Sequence, residues 1–98
     1  MFDIKANVQN LRNSKSYFSS GYSPAFQVTD NYSTSGRITL INQDKLNYHE
    51  TADAYIQFIT PEVYPNTLRI GQVLYFTERD LITGKAVVKE IYNPILKK

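Results

Sequence analysis

The chain contains no cysteine and no tryptophan, and it has only one histidine, four glycines and four prolines. Without cysteine there is neither a disulfide framework nor a thiolate metal site, so apolar packing has to stabilise the fold unaided. Its apolar runs extend only a few residues, too short to cross a bilayer. Met1-Phe2-Asp3-Ile4-Lys5 leads directly into an alternating pattern, with no basic segment followed by an apolar one. The expected location is therefore cytoplasmic, with no membrane contact. The eleven Lys and Arg are scattered rather than blocked, and nine Asp and Glu offset them to a net +2, a weak draw for nucleic acid. There are no internal repeats and no low-complexity tracts.

The 98 residues suffice for one core and are expected to form a single domain, residues 1–98. At 42% hydrophobic and 20% charged, with both signs present, the chain lacks the signature of disorder. Phe2, Ile4, Ala6 and Val8 alternate with polar residues, the pattern of a half-buried strand. Asn10 to Ser23 reads as a loop whose Tyr17-Phe18 pair folds back as a lid over one end of the core. Ala25 to Thr29 forms the second strand, with Phe26 and Val28 inward, after turn chemistry at Gly21 to Pro24. Asp30 to Gly36 reads as a polar connection and Gly36 to Ile41 as the third strand.

Asn42 to Thr51 reads as a second polar loop, with a short turn of helix as the rival. Ala52 to Ile59 alternates again, with Ala54, Ile56 and Phe58 inward. Pro61 and Pro65 bracket a stiff loop, after which Leu68 and Ile70 re-enter the core. Val73 to Glu78 and Lys85 to Tyr92 pair through a polar turn containing Arg79, Asp80, Thr83 and Gly84. The last run breaks its alternation, which calls for a bulge or for partial cover on both faces. Asn93 to Lys98 is expected to fray, although Ile95 and Leu96 could pack back. The whole is an all-β chain of six antiparallel strands in a closed or near-closed barrel, an arrangement that removes aggregation-prone edges.

Read in order, Gly21-Tyr22-Ser23-Pro24-Ala25-Phe26, Thr34-Ser35-Gly36-Arg37-Ile38, Ile59-Thr60-Pro61 and the Gly84–Ile91 ending span nearly the whole chain. This series resembles the C-terminal β-barrel domain of elongation factor Tu, here as a stand-alone domain. The resemblance implies a barrel of that type. It does not imply nucleotide hydrolysis, because no G-x-x-x-x-G-K-[ST] loop occurs in the chain. The family's barrel contacts the T-stem of aminoacyl-tRNA partly through a polar residue between the Pro and Phe of its GYxPxF element. Ala25 stands there and cannot hydrogen-bond through its side chain. Thr77 to Leu81 likewise replaces the family's glycine-rich turn.

His49, with Glu50 adjacent and Asp44 and Asp53 nearby, falls short of a zinc motif and reads as a surface loop residue. Ser14, Ser16, Ser19 and Ser20 have only His49 as a prospective base and read as solvated loop serines. No catalytic, cofactor-binding or metal-ligating residue is expected, and no enzyme activity. The eight tyrosines carry more weight, because Tyr offers rigid area with a polar tip and is enriched at interfaces. Tyr48 and Tyr64 also read as loop or outward residues. The partner-binding candidates are Tyr17, Tyr22, Tyr32, Arg37 and Tyr55, with Lys85 and Lys89 beside Val87 and Ile91 as a second surface. The expected function is a non-catalytic binding module acting by protein–protein contact. An immunity or antitoxin protein is one alternative. Another is weak binding of tRNA or single-stranded RNA through loop tyrosines and scattered Lys and Arg.

Overall fold

In the computed structural model, which describes residues 2–12, 14–30 and 32–98, six strands close into an antiparallel barrel. They are β1 (Ile4–Asn10), β3 (Ala25–Thr29), β4 (Tyr32–Leu40), β6 (Thr51–Phe58), β7 (Val73–Glu78) and β8 (Leu81–Ile91). Around the barrel the order is β1-β6-β4-β3-β7-β8, with β8 pairing back onto β1. The short strands β2 (Phe18–Ser19) and β5 (Lys45–Leu46) form a separate two-stranded ribbon, and Pro61–Val63 and Pro94–Leu96 are single 3-10 turns. No helix among the described residues is long and apolar enough to cross a membrane.

The alternation in the sequence translates directly into the barrel wall. Ile4, Ala6 and Val8 of β1, Ala54, Ile56 and Phe58 of β6, and Leu74 and Phe76 of β7 all point into the buried interior. Phe26 and Phe76 fill its centre with ring centroids 5.2 Å apart. At one end the β2–β5 ribbon lowers Phe18 and Leu46 onto the core, and at the other Tyr64, Leu68 and Leu96 close it. The lid expected from Tyr17-Phe18 is thus Phe18 alone, since Tyr17 is exposed.

Several expectations need correction. Phe2 does not continue the inward face of β1; it stacks on Tyr55 outside the barrel, with centroids 4.7 Å apart. Asp3 is buried instead, because its carboxylate accepts hydrogen bonds from Phe58 N (2.7 Å) and Asn93 Nδ2 (2.9 Å). The third strand begins at Tyr32, not Gly36, and Thr34 turns inward because the Tyr64 hydroxyl bonds to it. That bond also explains why Tyr64, expected in a loop or on an outward face, is buried. Asn31, within the expected Asp30–Gly36 connection, lies outside the described residues. Asn42 to Thr51 contains β5 and no helix.

Ile70, expected in the core, points to solvent, because Leu68 alone reaches inward before the turn at Gly71. The hairpin turn is only Arg79-Asp80; Thr83 and Gly84 lie within β8 and both are buried. The broken alternation of the last run is a bulge. Lys5 pairs with Glu90 but Ala6 with Val88, leaving Lys89 as the extra residue, so Ile91 turns back toward the core that Ala86 and Val88 face. The tail does not fray. Leu96 is fully buried, Asn93 caps the last 3-10 turn, and Leu68 bridges to Lys97.

Candidate functional site

The charges of this chain are scattered along it, so the site has to be built from side chains held out to solvent. The clearest grouping lies at the tip of the β7–β8 hairpin. Arg79 and Asp80 take φ values of +49° and +67°, the left-handed pair that a two-residue primed turn requires. The short turn carries Leu81 and Ile82 to the barrel rim, where they remain 58% and 51% exposed. Leu11 N donates to Thr83 O (2.9 Å), which draws the chain after β1 against the hairpin and brings Arg12 beside it.

Asn10 fixes that approach from inside. It is fully buried, accepts from Arg12 N (3.0 Å), and donates to Ser16 O (2.8 Å) and Leu46 O (3.0 Å). Every polar atom of its amide is therefore used, as burial demands. Arg12 in turn donates to Tyr17 O (2.9 Å), lies 3.7 Å from the Glu78 carboxylate, and stacks over the Tyr22 ring at 5.5 Å. Between these elements is a cleft of about 400 Å³, lined by Arg12, Ser14, Glu78, Arg79, Leu81 and Ile82 with Thr83 beneath.

Tyr22 forms the back of this arrangement. Its hydroxyl shares a 2.8 Å hydrogen bond with the Thr83 hydroxyl, and its ring packs on Phe18 and Phe76. Burial, and then the nearby Glu78 carboxylate, hold the phenol well above its ordinary pKa, so it stays protonated and neutral. Such a group supports the rim and is unsuited to act as a base or nucleophile near neutral pH.

Of the other expected site residues, only Tyr17 borders this grouping, through the hydrogen bond its carbonyl accepts from Arg12. Tyr17 is nearby, 53% exposed, with the Lys45 ammonium 5.1 Å over its ring. Tyr32 is at the opposite end of the barrel, its ring 5.4 Å from Tyr64. Tyr55 lies on the outer wall of β6, stacked on Phe2 and 6.2 Å from Tyr92. Lys85 stands on the outer face of β8 between Tyr75 and Gln9, and Lys89 reaches the Asp53 carboxylate at 3.3 Å. The Asn7 amide first, and then Lys89, hold that carboxyl below its ordinary pKa. Arg37 is on the β4 wall, opposite Gln57. Leu81 and Ile82 were hidden in the sequence by the longer turn expected there. The signal that could have revealed them is an apolar pair following two residues able to adopt a primed turn.

His49 is exposed and stacks on Tyr48, with centroids 4.0 Å apart. Among the described residues, no group of three or more His, Asp and Glu is arranged to hold a metal ion. No known family model and no curated protein matches the chain.

Proposed function

We propose that this barrel is a non-catalytic binding module that acts by protein–protein contact, using the tip of the β7–β8 hairpin. The observation that carries the reading is the exposure of Leu81 and Ile82 directly after a two-residue turn, beside Arg12 and Tyr17. Exposed aliphatic side chains next to Arg and Tyr have the make-up of an interface centre, where anchors lose water and charged groups form the rim. The elongation-factor-type motifs support the same reading, since that barrel works by packing against other surfaces. A cytoplasmic location accompanies it. An immunity or antitoxin protein would be a special case in which the partner is a toxin.

Binding of tRNA or single-stranded RNA is less well supported. Tyr17 and Tyr32, its most exposed candidate rings, are at opposite ends of the barrel, so one strand has no continuous stacking path between them.

The test is capture from a lysate of the native host with the tagged chain and with Leu81→Ser/Ile82→Ser. The wild type should retain a defined protein and the double variant should lose it. Equal capture by both, or capture of RNA that weakens steeply with salt in place of a protein, would overturn the proposal.

A further inference from the structure

A second surface differs in chemistry from the hairpin tip and lies on the outer wall of β4 and β6. Here β4 has left β3. Its free edge is bonded instead by the connection before β3, through Gly36 N to Pro24 O (3.1 Å) and Ile38 N to Tyr22 O (2.9 Å). Ser23 is therefore level with Arg37, and Arg37 stands opposite Gln57 on β6. One step along the strands, Ser35 O accepts from Ile59 N (3.0 Å). The outer wall thus carries two adjacent rows, Ser23–Arg37–Gln57 and Ser35–Ile59, around a groove of about 350 Å³.

Three features give this groove a ligand preference. Among the described residues that line it, Arg37 alone is charged. Among the described residues, the Arg37, Gln57 and Ser35 side chains make no ion pair or hydrogen bond, whereas Lys89, Lys5 and Arg12 each face a carboxylate. Ile59, 73% exposed, supplies an apolar wall one row away. A guanidinium and an amide favour a planar carboxylate, which accepts several hydrogen bonds at once. An open groove on a barrel wall buries too little of a small free acid to hold it well, whereas an extended polypeptide can cover both rows. Side chains at i and i+2 of such a segment fall on one face with the spacing of the two rows.

We propose that this groove binds an extended segment of a partner protein that carries an acidic residue and an apolar residue two positions apart. The carboxylate engages Arg37 and Gln57, and the apolar side chain covers Ile59. The inference rests on the reading of the chain as a protein-binding module, though not on the hairpin tip being the surface used.

The test is a titration of the labelled protein, followed through its backbone amide resonances, with acetyl-Glu-Ala-Leu-amide, acetyl-Gln-Ala-Leu-amide and inorganic phosphate. The Glu peptide should shift the amides of Gly36, Arg37, Gln57 and Ile59. The Gln peptide should bind roughly two- to fivefold more weakly, as should the Glu peptide on Arg37→Gln, within the range for one exposed ion pair. Absence of shifts at those amides, equal binding of the two peptides, or no effect of Arg37→Gln would overturn the proposal. Phosphate matching the Glu peptide would also overturn it, because a bare anion site needs no apolar neighbour. Shifts confined to Leu81, Ile82 and Thr83 would remove this groove and leave protein binding through the tip intact. Shifts at the groove while tip variants still capture the partner would remove the tip alone.

Discussion

Phe76 and Gly84 face each other across β7 and β8, and the phenyl ring fills the space that a side chain at position 84 would need. A Cβ there would also lie 2.5 Å from Gln9 O on β1. The neighbouring Phe26 stands over Gly36 in the same way, with ring carbons 2.8 Å from where a Cβ would be. The two phenylalanines are themselves cross-strand partners on β3 and β7. Two side-chain-free positions on the flanking strands therefore make room for the pair of rings that fills the barrel.

Gly84→Ala is expected to destabilise the fold by about 3 kcal/mol, because the ring and the Gln9 carbonyl both stand in the way. Gly36→Ala should cost roughly 1 to 2 kcal/mol, since only side chains have to yield there. Thermal unfolding should register these as falls of about 4 to 8 °C per kcal/mol. Adding Phe76→Leu to Gly84→Ala should recover part of the loss; a purely additive double variant would contradict the account.

The C-terminal tail is a structural element. Leu96→Ala should lower stability by about 2 to 4 kcal/mol, as expected for a fully buried leucine. Asp3→Ala should cost about 2 kcal/mol by leaving Phe58 N and the Asn93 amide without their shared acceptor. Denaturant unfolding of each variant checks both values. An Asp3→Ala variant as stable as the wild type would show that Asp3 does not anchor the tail.

Alkaline pH tests Tyr22. The folded chain holds the phenol proton more tightly than the unfolded chain, so the contribution to stability is complete below the ordinary pKa of 10.0. It declines as the pH rises past that value, because the unfolded state then releases the proton first. Tyr92, also raised, by slight burial and then by Glu90, acts in the same direction. Stability measured from pH 9 to pH 12 (roughly the window of phenol titration) should fall more steeply for the wild type than for Tyr22→Phe. Parallel curves would contradict the assignment.

The hairpin turn carries removable strain. Arg79 and Asp80 hold positive φ without being glycine or asparagine, and Arg79→Asn with Asp80→Gly should stabilise the fold by about 1 kcal/mol. A lower melting temperature in that variant would mean that the Arg79 side chain contributes more than its backbone costs.

The barrel was largely legible in the sequence, because β1, β3, β6 and β7 each bury one clean face and show it as alternation. The break in parity of the last strand was legible too, as a bulge or as partial cover on both faces, and the pairing with β1 makes it a bulge at Lys89. What the sequence hid was strand held by polar pairing. Tyr32 to Ser35 looks like a loop until the Tyr64 hydroxyl satisfies Thr34, and Asp3 looks solvent-facing until Asn93 and Phe58 bond to it. Those partners are 30, 90 and 55 residues away along the chain, beyond any local pattern. Of the expected binding residues, Tyr17 and Arg37 are in the two surfaces described, while Tyr22 became part of the scaffold. Leu81 and Ile82 went unnoticed because two residues sufficed for a turn expected to take more.

The central claim is that the exposed hairpin tip is an anchor for a protein partner. Its most direct test is the affinity of the captured, purified partner for the wild type and for Leu81→Ser/Ile82→Ser, each first shown to melt at the same temperature. Loss of two buried aliphatic anchors should weaken binding by on the order of a hundredfold, about 3 kcal/mol. Affinities that agree within error would contradict the claim.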